Sequence, residues 1–318
     1  MDKRKFLTGA FIAMLTAALA AYPGCCAAAE AETAEEEYNE EEYESDYIKE
    51  VKQKAAKGDV VAMNELGVYY AESNLLPRHD YGKARYWYQK AARAGFTDAI
   101  FNMGMLYRNG HGVKKDLAKS LWWWRKAAKK GSPHAMDMIG HMYAGGVSVK
   151  QDYAKARAWY EKSAAAGSAY SLYYLGEMYQ KGLGVKKNFA KAYKLYSKCA
   201  DRGNLYGTLG LGTMYEYGQH VKQSYAKAAE LYKEAVWSPH YPTEALYRLA
   251  VLYENGHGVE QNYQTAREFY ELTAKQDFAD AMRALSRMYK HGLGVEKDPA
   301  KAYEWYEKYK KRKARKGW

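Results

Sequence analysis

The side chains able to do chemistry are plentiful but dispersed. Eight histidines stand at His79, His111, His134, His141, His220, His240, His257 and His291, and none makes a His-x-x-x-His pair. No two-cysteine ligand set accompanies them, so no zinc pattern forms. The 37 acidic residues fall mainly in one block or on helix caps and solvated helix faces. No Ser-His-Asp set, pair of catalytic carboxylates or cofactor loop rises above this background. Gly-x-Gly occurs repeatedly, but no strand precedes it and no Walker lysine pattern follows. The expectation is therefore a non-enzyme without cofactor or metal. The alternative is a hydrolase whose site is assembled across repeats and acts on a bacterial envelope polymer.

The elements that position these residues recur. Asp80, Asp116, Asp152, Asn188, Ser224, Asn262 and Asp298 follow one another at steps of 36, 36, 36, 36, 38 and 36 residues. A tyrosine column, Tyr70, Tyr107, Tyr143, Tyr179, Tyr215, Tyr253 and Tyr289, keeps nearly the same pitch. Self-similarity at this period marks a stacked array in which each unit buries its apolar face against its neighbours.

Within one unit, Met136, Ile139, Gly140 and Tyr143 recur at helical spacing and predict a first helix. The Gly140 place is held elsewhere by Gly67, Gly104, Gly176, Gly212, Ala250 and Ser286. A small residue there lets two helices approach closely. A turn such as Gly110-His111-Gly112-Val113 follows, its first glycine suited to a left-handed helix end. The Asp/Asn/Ser column then predicts the N-cap of a second helix. That helix carries alanine at its close-contact place and aromatics such as Trp123-Trp124 and Trp159-Tyr160 further on.

The recurring set seen as Ala99, Gly104, Leu106-Tyr107, Gly110, Gly112-Val113, Asp116 and Lys126-Ala127-Ala128 resembles the Sel1-like repeat family, relatives of tetratricopeptide repeats. The resemblance covers about residues 58 to 310. It implies an all-α, right-handed alpha-solenoid of about seven helix-loop-helix repeats, used as a scaffold or adaptor for other proteins. A secreted bacterial branch of that family carries a disulfide in each repeat. This chain lacks those cysteines, so nothing special to that branch transfers.

The ends depart from the repeat. Lys3, Arg4 and Lys5 precede an apolar run from Phe6 to Ala21, with Ala27-Ala28-Ala29 as a small-residue cleavage site. Residues 1–29 read as a secretory signal peptide, with an uncleaved anchor as the alternative. The expected location is periplasmic or secreted; Cys25 offers lipoprotein anchoring as a variant. Cys199 sits in an alanine place and is expected to be small and buried. Residues 30–50 hold eleven acids and one lysine, and are expected to be a disordered acidic segment. The solenoid is expected over 51–310 and a basic tail over 311–318. Net charge is +12 for the chain but +20 for residues 51–318. That balance fits an acidic protein, an anionic envelope polymer or acidic lipid heads. Nucleic acid is not expected, given the export signal. A monomer is the default.

Because the recurring columns serve packing, binding belongs in the variable ones. Two places four apart on the first helix give a stripe that includes Phe101, Met105, His141, Tyr173, Glu177, Leu209, Tyr247, Arg283 and Arg287. Lining a concave groove, they would suit a peptide or a partner helix. Contact with the next repeat is the other reading. Trp122 sits one place ahead of the usual aromatics and is the exposed member expected of Trp122-Trp123-Trp124. Two extra residues and two prolines around 237–242 predict a change in superhelix curvature or a joint, unless the aromatics there pack it rigidly. The acidic segment could fold back on the basic solenoid, or act only as a spacer.

Overall fold

The computed structural model describes residues 44–73, 79–238 and 241–314. These residues form fifteen helices and no strand, an all-α solenoid built from helix pairs. The chain divides into two compact units, with the boundary between Lys187 and Asn188. The first holds α1 (Asp46–Ala56), α2 (Val60–Glu72), α3 (Tyr81–Arg93), α4 (Thr97–Asn109), α5 (Leu117–Lys129), α6 (Pro133–Gly145), α7 (Tyr153–Ala165) and α8 (Ala169–Lys181). The second holds α9 (Phe189–Asp201), α10 (Leu205–Tyr217), α11 (Tyr225–Ala235), α12 (Thr243–Asn255), α13 (Tyr263–Lys275), α14 (Ala279–His291) and α15 (Pro299–Ala314). Within each unit every helix packs on the one before it and the one after it.

The expected cap column caps every second helix of a pair. Asp80, Asp116, Asp152, Asn188 and Asp298 each accept the backbone N–H three residues on at 2.9 Å, and Ser224 and Asn262 do the same for Lys227 and Thr265. One orphan donor per helix is thereby satisfied. The first helix of a pair stops at a left-handed glycine in six of the seven pairs, as at Gly110 (φ 79°) and Gly182 (φ 77°), whereas α2 ends at the extended Ser73.

Close approach inside a pair is set by the small-residue column. A Cβ on Gly140 would lie 2.4 Å from the Tyr160 ring, and one on Gly104 would lie 2.4 Å from the Trp124 indole nitrogen. The second-helix aromatic therefore lies flat on the first helix, fully buried in the cases of Trp124, Tyr160, Tyr196, Tyr232 and Tyr270. Where a turn has a second glycine it meets the preceding pair: Gly112 abuts Tyr81, and Gly258 abuts Tyr225. The intervening histidines stack on the same tyrosines, His111 on Tyr81 at 4.2 Å and His257 on Tyr225 at 4.6 Å. Turn histidines are thus part of inter-repeat packing. Cys199 is fully buried in the alanine place.

The boundaries differ from expectation at both ends. The acidic segment was expected to stay unstructured through residue 50, but α1 begins at Asp46. Ile48, Val51 and Ala55 recur on one face and are buried in the first unit's core, which offsets the cost of ordering the chain. At the other end α15 runs to Ala314, four residues past the expected limit of the solenoid. Around 237–242, Tyr241 is buried in the second unit's core and its hydroxyl accepts from Gln276 Nε2 at 2.7 Å. That anchors the insertion on the α13 side. Pro239 and His240 lie outside the described residues, as do the signal peptide, Cys25, residues 30–43 and the unusual turn at 74–78.

Candidate functional site

The first-helix stripe is largely engaged in packing. Phe101 stacks on Trp124 with centroids 6.3 Å apart and meets His134 at 6.0 Å, while Met105 joins the same apolar cluster. Tyr247 lies against Tyr270 at 5.7 Å and Phe278 at 4.9 Å. Tyr173 and Leu209, expected to line a groove, are buried and offer no surface. Their places face the neighbouring helices because large apolar groups gain more there than in water. The charged members remain outward. Glu177 pairs with Lys181, and Arg283 and Arg287 are exposed.

Three titratable networks stitch helices together. In the first unit the buried Asp137 of α6 accepts Ser168 Oγ at 2.7 Å and also Ser171 Oγ, tying it to the start of α8. His141, one turn on, has Nδ1 3.0 Å from the Tyr160 hydroxyl and its ring edge-on to Tyr174. Burial, aided by Arg108 and opposed by Asp137, pushes the His141 pKa down to about 4. Serine, histidine and aspartate thus sit close together, yet the serine protons go to the carboxylate rather than to the imidazole. The arrangement fixes helices instead of activating a nucleophile.

In the second unit, buried Glu216 of α10 accepts the Tyr232 hydroxyl and Arg248 Nη1, the latter at 3.2 Å. Arg248 also holds Glu244 at 2.6 Å and the Tyr217 hydroxyl at 3.0 Å. One repeat later Glu254 accepts the Tyr270 hydroxyl at 2.8 Å and Arg287 Nη2 at 2.6 Å. Burial, reinforced by these carboxylates, holds the Tyr232 and Tyr270 hydroxyls well above the usual tyrosine range. Sequence reading missed both networks. A glutamate four places after the small-residue column, met by arginine in the next repeat, is the pattern that would have flagged them. Among the described residues no group of three or more His, Cys, Asp and Glu side chains could hold a metal ion.

One surface that packing does not consume lies on the second helices of the first unit; Tyr217, Trp237, Tyr303 and Tyr306 are exposed in the second. Trp124 is buried and Trp123 half-buried, while Trp122 is 50 % exposed. Tyr86 occupies the same place one repeat earlier and is 51 % exposed. Each rests edge-on against its neighbour, Tyr86 on Trp87 at 5.1 Å and Trp122 on Trp123 at 4.9 Å. Each is clamped by a lysine one turn on, with Lys90 Nζ 4.8 Å from the Tyr86 centroid and Lys126 Nζ 3.7 Å from the Trp122 centroid. Lys162 continues the column over Trp159 at 4.8 Å. Helices α3 and α5 contain no acidic residue, and α7 contains only Glu161. In the second unit the Trp122 place is filled by Lys194, Glu230, Glu268 and Glu304. The Trp122 column is therefore aromatic only in the first unit, although α15 of the second unit carries aromatic–lysine pairs of its own, Lys308 over Trp305 at 4.3 Å and Lys310 over Tyr306 at 5.2 Å.

Comparison with known proteins decides the family. The Sel1 repeat model matches seven times, over residues 60–96, 97–132, 133–168, 169–204, 206–236, 243–278 and 279–308. The chain belongs to the Sel1 repeat family. Sel1 repeats, like the tetratricopeptide repeats they resemble, generally mediate protein–protein interaction. Among solved structures this Sel1 repeat chain is 34 % identical to a protective antigen of uropathogenic Escherichia coli with an SLR fold, at a TM-score of 0.58 over 83 % of this chain. It spans only 56 % of that antigen's length. It is 31 % identical to a Sel1 repeat protein from Oxalobacter formigenes, with TM-score 0.58, covering 83 % of this chain and 76 % of the other. Yeast Tom70, at 13 % identity and TM-score 0.50 over 98 % of this chain and 73 % of its own, shares the fold alone. No functionally curated protein matches.

Proposed function

We propose that this Sel1 repeat protein is an exported scaffold that holds an acidic protein or peptide segment on the second-helix face of its first unit. One observation carries the reading. Trp122 and Tyr86 are half-exposed in a column where the other unit puts charges, and each is framed by lysine on helices free of acid. A rigid aromatic that leaves solvent on docking is a favoured interface anchor. Surrounding cations select acidic partners and speed their encounter. Export rests on the Lys3–Ala29 leader pattern, and places the partner in the envelope or outside the cell.

The test uses the full chain and its Trp122→Ala/Lys126→Glu variant, crosslinked in the native envelope and captured. The scaffold reading expects a reproducible protein adduct that the variant loses, with no turnover of purified peptidoglycan. An adduct set identical for both proteins would overturn the assignment of the face. Turnover abolished by one carboxylate substitution would establish the hydrolase instead.

A further inference from the structure

The chain itself carries a segment of the charge that this face would select. Residues 30–43 contain eight glutamates, no lysine or arginine, and two tyrosines, Tyr38 and Tyr43. They join the described structure at Glu44, just ahead of α1, whose N-cap Ser45 accepts from Ile48 N. Helix α1 packs on α2 and α2 on α3, so α3 lies at most two packing steps away. At roughly 10 Å per step that is under about 20 Å, and α5 is under about 40 Å. An extended run of 14 residues reaches roughly 45 Å.

Length and charge thus agree. We infer that the acidic segment 30–43 docks on the Tyr86–Lys90 and Trp122–Lys126 face of its own chain, as a tethered competitor of the external partner. This rests on the reading of that face as a binding surface. The tether supplies an effective concentration near the millimolar range, so even a weak contact is substantially populated. The interaction is charge-led, so salt screens it. Chain geometry sets an order: at about 3.3 Å per residue from Glu44, the glutamates at 35–37 come within range of Lys90 and only those at 30 and 32 within range of Lys126.

A zero-length carbodiimide crosslink between carboxylates and lysines, read by mass spectrometry on the full chain, tests this. Mixing heavy- and light-isotope chains separates links within one molecule from links between two. Docking expects intramolecular links from the segment to Lys90 and Lys126, in the stated order. They should fall at least about fivefold between ~0.05 M and ~0.5 M salt. Replacing all eight glutamates, at 30, 32, 35–37 and 40–42, with glutamine should remove them and tighten capture of the external partner. Links spread evenly over lysines of the second unit, links only between molecules, or none at low salt would overturn the inference. In each of those outcomes a Trp122-dependent adduct in the envelope would still support the binding face, so the two claims fail separately.

Discussion

At Gly140 one hydrogen atom decides the spacing of two helices. Alanine would raise helix propensity by about 1 kcal/mol. Its Cβ, however, would lie 2.4 Å from the Tyr160 ring, which is itself fully buried and cannot swing away. Overpacking of this kind costs about 1–3 kcal/mol, so Gly140→Ala should lower the urea midpoint despite the better helix former. Glu254 poses the opposite case. It is buried and holds both the Tyr270 hydroxyl and Arg287. Arg287 can return to water but the Tyr270 hydroxyl cannot, so Glu254→Ala should cost about 2–3 kcal/mol in the same assay.

His141 adds a pH dependence. Its folded pKa of about 4 lies below the unfolded value of 6.5. Between those values the unfolded chain binds the extra proton, so stability is full above about pH 6.5 and declines as pH falls toward 4. The loss reaches up to about 3 kcal/mol, at 1.36 kcal/mol per pH unit. Thermal or urea unfolding at pH 7 and pH 4.5 should show this decline, and His141→Gln should flatten it. An unchanged pH slope in that variant would assign the effect to other groups.

Among the elements, each second helix depends on its cap. Asp116 accepts Lys119 N at 2.9 Å, so Asp116→Ala should cost about 1 kcal/mol. Amide exchange in the first turn of α5 should rise before that of α6. This level of structure was legible in the sequence, because the cap column and the small-residue column are local rules repeated seven times and the left-handed glycine recurs six times. What was not legible follows from contacts between repeats. The stripe through Phe101, Tyr173, Leu209 and Tyr247 has the spacing of a shared face. Spacing alone does not say whether that face meets solvent or the next helix. The structure turns Tyr173 and Leu209 inward. Helix α1 was hidden for a related reason. Its three buried apolar residues, Ile48, Val51 and Ala55, sit at the edge of an acidic block whose composition outweighed their spacing. Trp122 could be picked out because the register fixed Trp123 and Trp124 first.

Across the whole chain, the repeat supplies rigidity and the exceptions to it supply specificity. The first unit keeps the acid-free second helices α3 and α5 with Tyr86 and Trp122 exposed, whereas the second unit puts charges in that column and locks adjacent repeats through the Glu216 and Glu254 networks. Among the described residues no helix is long and apolar enough to cross a membrane; the apolar run from Phe6 to Ala21 lies outside them. The direct measurement is site-specific photo-crosslinking in the native envelope. A photoreactive phenylalanine analogue is placed at position 122 of the full chain and, as a control, at position 303, where Tyr303 is 65 % exposed in the second unit. Binding on the first-unit face predicts a discrete protein adduct from position 122, weakened by Lys126→Glu and absent from position 303. Equal adducts from both positions, or none from position 122 while position 303 captures a partner, would contradict it.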